Sequence, residues 1–150
     1  MRALIYLTLL ILFVTALVTT SCSSGGSDAQ PDEFAQQAAL LINNGNPWVA
    51  SPESSVIKDG FDVSDQFNGF NLKFSNGTFT TENALPSAWP SQGNWELDPN
   101  NKNIILRSDG VVMQSQVSGN SLILTYTSNK SSSGRMNSVI GDYQFILISQ

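Results

Sequence analysis

Few residues in this 150-residue chain carry reactive groups, and the missing types narrow the chemistry first. There is no histidine, which removes the commonest general base and the commonest metal ligand together. A nucleophilic serine or threonine would then need a lysine or a carboxylate as its base. Lys58, Lys73, Lys102 and Lys130 all fall in loops or at the outer positions of predicted strands. Glu82 and Glu96 are the only glutamates on predicted strands, and Glu96, beside an inward Trp95, points outward. No facing carboxylate pair for glycoside hydrolysis is therefore expected. Asp59, Asp62 and Asp65 recur every three residues in a turn-rich stretch, where oxygen ligands could hold Ca²⁺. The spacing is not that of an EF-hand loop, and a solubilising acidic loop is the simpler reading. These patterns argue for a protein that is not an enzyme, with no cofactor or metal.

The one thiol, Cys22, excludes an internal disulfide and a thiolate metal cluster. It follows a positive Arg2, an apolar run from Leu4 to Val18, and the small residues Thr19-Thr20-Ser21. The run is shorter than the ~20 residues that span a bilayer and has the three-part build of a secretory signal. Thr19-Thr20-Ser21-Cys22 resembles the lipobox of bacterial lipoproteins, with Thr19 where leucine is preferred. The resemblance implies diacylglycerol transfer to the Cys22 thiol, cleavage before it, and acylation of the freed amine. The alternative is a plainly secreted protein with a cysteine at the cleavage point. Several acyl chains, at ~0.8 kcal/mol per buried CH₂, hold a protein stably on a membrane. Ser23 rather than Asp follows the cysteine, so by analogy with lipoprotein sorting the destination is the outer membrane, facing either the periplasm or the surface. The expected division is 1–21 signal peptide, 22–30 lipidated cysteine and flexible tether, and 31–150 folded domain. Ser23 to Gln30 has an r.m.s. span of roughly 15 Å. Formal charge is −5, and an acidic chain of this kind repels a phosphate backbone, so no nucleic-acid partner is expected.

The elements that position the domain's side chains are mostly short strands. Phe70, Leu72 and Phe74 alternate with polar residues up to Asn76-Gly77, and Phe79 continues the alternation beyond it, which predicts a hairpin with a type I′ turn. Before it, Pro31 to Asn44 reads as a helix with Phe34, Ala38, Leu41 and Ile42 on one face, suited to plug one end of a sheet or barrel or, alternatively, to act as a mobile lid over a ligand mouth. Trp48 to Ile57 is a strand bent at Pro52, followed by an Asp59-Gly60 turn and a loosely structured crossing to Phe67. After the hairpin come strands Gly93–Leu97, Asn103–Arg107, Val111–Val117, Ser121–Thr127 and Asp142–Ile148, separated by turn-rich segments. The last strand is apolar on both faces and calls for an outer cover, for which the helix is a candidate. The fold expected is all-β: an antiparallel up-and-down meander closing as a barrel of about eight strands, with one short N-terminal helix.

The order N-G-T-F-T-T…W-P…G-N-W-E-L…R-S-D-G-V…S-L-I-L-T-Y-T…G-R-M-N-S-V-I-G-D-Y-Q-F resembles the small lipocalin-like domains of bacterial outer-membrane lipoproteins, over roughly Pro47 to Ile148. The resemblance implies a calycin-type barrel and no known reaction. Gly93-Asn94-Trp95 matches the lipocalin G-x-W, although that motif belongs on a first strand; Trp48 and Trp95 are read as core. Arg135 could take the part of the late lipocalin arginine that packs over a first-strand tryptophan, or it is a solvated loop residue. Two uses follow. The chain could be an accessory or interaction subunit at the cell envelope, with Leu85 and Trp89 in an exposed Pro-rich loop as the partner site, unless that loop folds back over the barrel. Alternatively, the barrel could hold a small apolar or amphipathic ligand among Phe70, Leu72, Phe74, Phe79, Trp95, Met113, Leu124, Tyr126 and Phe145. Such short strands make a squat barrel that these side chains could fill outright.

Overall fold

The chain divides into two units, Met1–Gln30 and Pro31–Gln150. The computed structural model describes residues 32–51, 53–86, 88–129 and 139–150, all in the second unit. Helix α1 (Glu33–Ile42) starts at Asp32, whose carboxylate accepts the Phe34 N–H at 3.1 Å, and carries Glu33 in its first turn. It stops at Asn43, which takes a left-handed conformation and returns its N–H to the carbonyls of Ala39 and Leu40. A 3₁₀ turn (Asn43–Gly45) leads into the sheet.

Ten strands follow: β1 (Trp48–Ala50), β2 (Val56–Lys58), β3 (Phe61–Asp62), β4 (Asn71–Ser75), β5 (Thr78–Glu82), β6 (Gln92–Asp98), β7 (Asn101–Arg107), β8 (Val112–Ser118), β9 (Ser121–Ser128) and β10 (Gly141–Ser149). From β4 to β10 each strand pairs antiparallel with the next, and β1 pairs with both β4 and β10. Eight strands thus close into an up-and-down barrel, so none of the eight is left with an open edge. The expected all-β barrel with one short helix is what the chain forms.

The predicted strand Trp48–Ile57 is two strands. Ala50 lies opposite Leu147 and Val56 opposite Phe145, so the register of the first segment breaks between them against the single residue Ile146. Ile146 donates its N–H to Ser55 O at 2.7 Å, and Ser64 Oγ accepts from the N–H groups of Ser55 and Val56 at 2.9 and 3.0 Å. Downstream residues therefore hold the break; Pro52 lies outside the described residues. The Asp59-Gly60 turn has positive φ at both residues, the type I′ signature, and it folds β3 against β2. At Asn76-Gly77 only Gly77 is left-handed, so the central hairpin turns without the type I′ geometry expected of it.

α1 packs against β4 and β7 and not as a cover for β10. Its inner face seats Leu41 in the core, and Trp48 donates its indole N–H to Leu41 O at 2.8 Å. Glu33 pairs with Lys102, near the start of β7, at 2.6 Å. The helix therefore plugs the barrel end where β7 begins, and on β10 the outward Ile148 stays exposed.

Candidate functional site

Alternation decides which side chains face the barrel axis. Leu72 and Phe74 of β4, Phe79 of β5, Trp95 of β6, Met113 of β8, Leu124 and Tyr126 of β9 and Phe145 of β10 all point inward and, with Phe70 just before β4, join one buried cluster. All nine candidate interior residues are thus inside, where they pack on one another. Phe74 meets Trp95 edge-on at 5.0 Å and Phe70 meets Phe145 at 5.2 Å. Tyr126 stacks on Tyr143 at 5.4 Å and 11°. Gly93 lies opposite Phe79, and a Cβ there would come within 2.7 Å of the Phe79 ring. The glycine of the G-N-W motif therefore makes room for that ring. Trp48 and Trp95 are core as expected, the latter donating to Ser75 O and Thr78 O, each at 2.9 Å.

The loop between β5 and β6 overturns an expectation. Trp89, read from the sequence as exposed and partner-facing, is 0% exposed. Its ring sits among Phe70, Phe79, Tyr126 and Phe145 at 5.7 to 5.9 Å, and Leu85 is half-buried against the same core. The physical reason is the barrel end opposite α1, which no strand fills: an indole buries far more apolar area there than it would exposed on a loop. Thr81 fastens the loop, donating its hydroxyl to Pro90 O at 2.9 Å and its N–H to Ser91 O at 2.8 Å.

Against the Trp89 ring lies a charge. Arg107, the last residue of β7, is 4% exposed, with its guanidinium carbon 4.4 Å from the Trp89 ring centre, 5.7 Å from Phe79 and 5.9 Å from Tyr126. Asp109 on the following turn accepts from Nε at 3.0 Å and from Nη2 at 2.5 Å. Among the described residues, Arg107 Nη1 and Trp89 Nε1 are buried with no hydrogen-bond partner. The Tyr126 hydroxyl lies beside the Trp89 indole, but it donates to Ala88 O at 3.3 Å and makes no well-formed bond with Nε1. Burial pushes the Tyr126 phenol well above its usual range, opposed in part by the Arg107 charge. Burial, and behind it the Asp59 charge, also raises the Tyr143 phenol. Arg107 was not singled out from the sequence, although it shares the parity of the buried Ile105 two residues earlier, the one signal that it faces inward. Its stacking on Trp89 left no signal, because that partner comes from a loop without periodicity.

Two of the three recurring acidic residues are engaged in hydrogen bonds that hold the local chain. Asp59 accepts the Asp142 N–H at 2.8 Å, and Asp62 accepts from Ser54 N–H at 3.1 Å and from the Ser64 N–H and hydroxyl at 2.9 and 2.5 Å. The bonds from Ser64, chiefly the hydroxyl's, hold the Asp62 carboxyl below its ordinary range. Asp65 lies in a 3₁₀ turn (Ser64–Phe67), and among the described residues no three or more acidic or thiol side chains converge as a metal site. Cys22 and Arg135 lie outside the described residues. On the outer wall a shallow open groove of about 620 Å³ crosses β7 to β10 and β2, floored by Ile57, Ile104, Val112, Gln114 and Gln144.

Fold and site define an eight-stranded antiparallel barrel with both ends covered and a buried arginine among aromatic rings. The chain matches no family model, no curated protein and no solved structure.

Proposed function

We propose that this chain is a non-enzymatic, lipocalin-like outer-membrane lipoprotein, held on the membrane by acyl chains on Cys22 and serving as an accessory or interaction subunit of the cell envelope. The observation that carries the choice of interaction over storage is the packed interior. Phe70, Leu72, Phe74, Met113, Leu124 and Phe145 are all at 0% exposure, touching one another where a calyx would hold its cargo. With Trp89 turned inward, partner contact falls to the outer wall of the barrel. The lipid anchor is supported by the residues around Cys22, and the barrel is compatible with the lipocalin-like reading.

Metabolic labelling with palmitate in a bacterial host, followed by membrane fractionation, tests the address. Label on the wild-type protein, lost in Cys22→Ser together with membrane association, supports it; an unlabelled, fully soluble mature chain refutes it. Cross-linking on intact cells tests the role: one reproducible envelope partner, lost when Val112 on the outer wall is changed to Asp, is the expected result.

A second reading, an apolar or amphipathic ligand inside the barrel, has one specific observation in its favour. Arg107 keeps its Nη1 unpaired in the interior, beside the unpaired indole N–H of Trp89.

A further inference from the structure

A buried guanidinium stacked on an indole satisfies the attraction of charge for the ring face, but it supplies no acceptor. Arg107 and Trp89 are both pure donors, and Arg107 Nη1 and Trp89 Nε1 are each buried without a partner. A buried donor without a partner is costly, more so when it is charged. Trp89 therefore matches the shape of the seat it occupies and mismatches its chemistry. What the surrounding groups call for is a flat apolar body of about indole size with an oxygen acceptor attached.

We propose that the end of the barrel opposite α1 is a binding seat for an aromatic or apolar monocarboxylate, occupied in the free protein by the protein's own Trp89. The inference rests on the ligand-binding reading above and names its ligand class. The ligand's apolar body takes the place of the indole among Phe70, Phe79, Tyr126 and Phe145. Its carboxylate accepts from Arg107 Nη1, a charge-assisted bond of the kind that recognises carboxylates well. Among the described residues, the hydrogen bonds from the barrel nearest Trp89 are those from Thr81 to Pro90 O and Ser91 O and the long 3.3 Å bond from Tyr126 to Ala88 O, all on backbone carbonyls and none on the indole itself. The loop's own backbone bonds, from Ala88 and Trp89 to Leu85 O, are internal and can travel with it. Asp109 keeps its two bonds to Nε and Nη2, which leaves Nη1 as the guanidinium nitrogen free to meet the ligand's oxygen.

Isothermal titration of the full-length protein in detergent with indole-3-acetate and with neutral indole-3-acetamide tests this. Saturable binding of the acetate, with the amide at least about tenfold weaker, is expected. In Arg107→Met, which keeps an apolar filling, the two probes should bind alike. In Trp89→Ala, where the seat is vacated, the acetate should bind at least about tenfold tighter than to wild type. If that variant does not fold, Trp89→Leu serves with a smaller gain. Equal binding of acetate and amide to wild type overturns the carboxylate seat while leaving a ligand-binding barrel standing. No binding of either probe to wild type or to the vacated seat overturns the seat, and silence towards neutral hydrophobic dyes as well removes the ligand reading altogether.

Discussion

Replacing Trp89 by alanine separates a buried plug from an exposed docking residue. The indole is 0% exposed, meets four aromatic rings at 5.7 to 5.9 Å and carries the Arg107 guanidinium at 4.4 Å. Truncating a fully buried tryptophan costs about 3–5 kcal/mol through lost transfer energy and the cavity left behind. The unmatched arginine pushes towards the top of that range, because it loses its ring face and keeps its charge. Water entering the vacated end pushes the other way, since it can reach the unpaired Nη1 of Arg107. The two roughly offset, and about 4 kcal/mol is the expected loss. With a urea slope of roughly 1.5–2 kcal/mol per molar for a domain of this size, the midpoint should fall by about 2–3 M. Far-UV circular dichroism is the right probe, because the substitution removes a fluorophore. A loss within about 0.5 kcal/mol, the range of an ordinary surface substitution, would refute the buried plug.

Other consequences follow from the same packing. Gly93→Ala should destabilise by about 1–3 kcal/mol because its Cβ meets the Phe79 ring; in a double-mutant cycle with Phe79→Leu the two losses should be clearly less than additive, and additivity would contradict the contact. The raised phenols of Tyr126 and Tyr143 belong to groups that fold neutral, so their contribution is complete below the unfolded value near 10 and is lost as pH climbs towards the folded values. Absorbance titration should show these two tyrosines failing to ionise around pH 10 and stability falling above it; normal phenolate titration of both in the folded protein would count against their burial. Asp62, lowered by its bonds from Ser64, has the opposite sense: what it contributes is present above the usual carboxylate range and is lost as pH falls through its folded value. Asp62→Asn should flatten that acid-side dependence, read by thermal melts from pH 6 down to 2.

Strand parity made most of the barrel readable. Phe70, Leu72 and Phe74, or Leu122, Leu124 and Tyr126, alternate so cleanly that a single-residue slip would turn each set to water. The helix was readable too, from Asp32 and Glu33 at its start and from the stripe ending in Leu41 and Ile42. What periodicity could not carry is anything decided by a partner far along the chain. Trp89 sits between prolines in a segment with no repeat, and only the unfilled barrel end draws it inward. The register break after Ala50 depends on Ser64 and Asp62, which lie further along the chain. Arg107 had the parity of an inward residue, yet a charge on a strand is ordinarily read as facing water, and the aromatic cage that accepts it assembles from three other segments.

The central claim is that the barrel is filled by its own side chains, with the loop tryptophan among them. Acrylamide quenching of native fluorescence tests it directly, since Trp48, Trp89 and Trp95 are the three tryptophans of the chain and all are buried. The expected result is a blue-shifted emission that acrylamide barely quenches until urea unfolds the domain. A native component that quenches like free indole, and that disappears in Trp89→Phe, would place this residue in solvent and contradict the account.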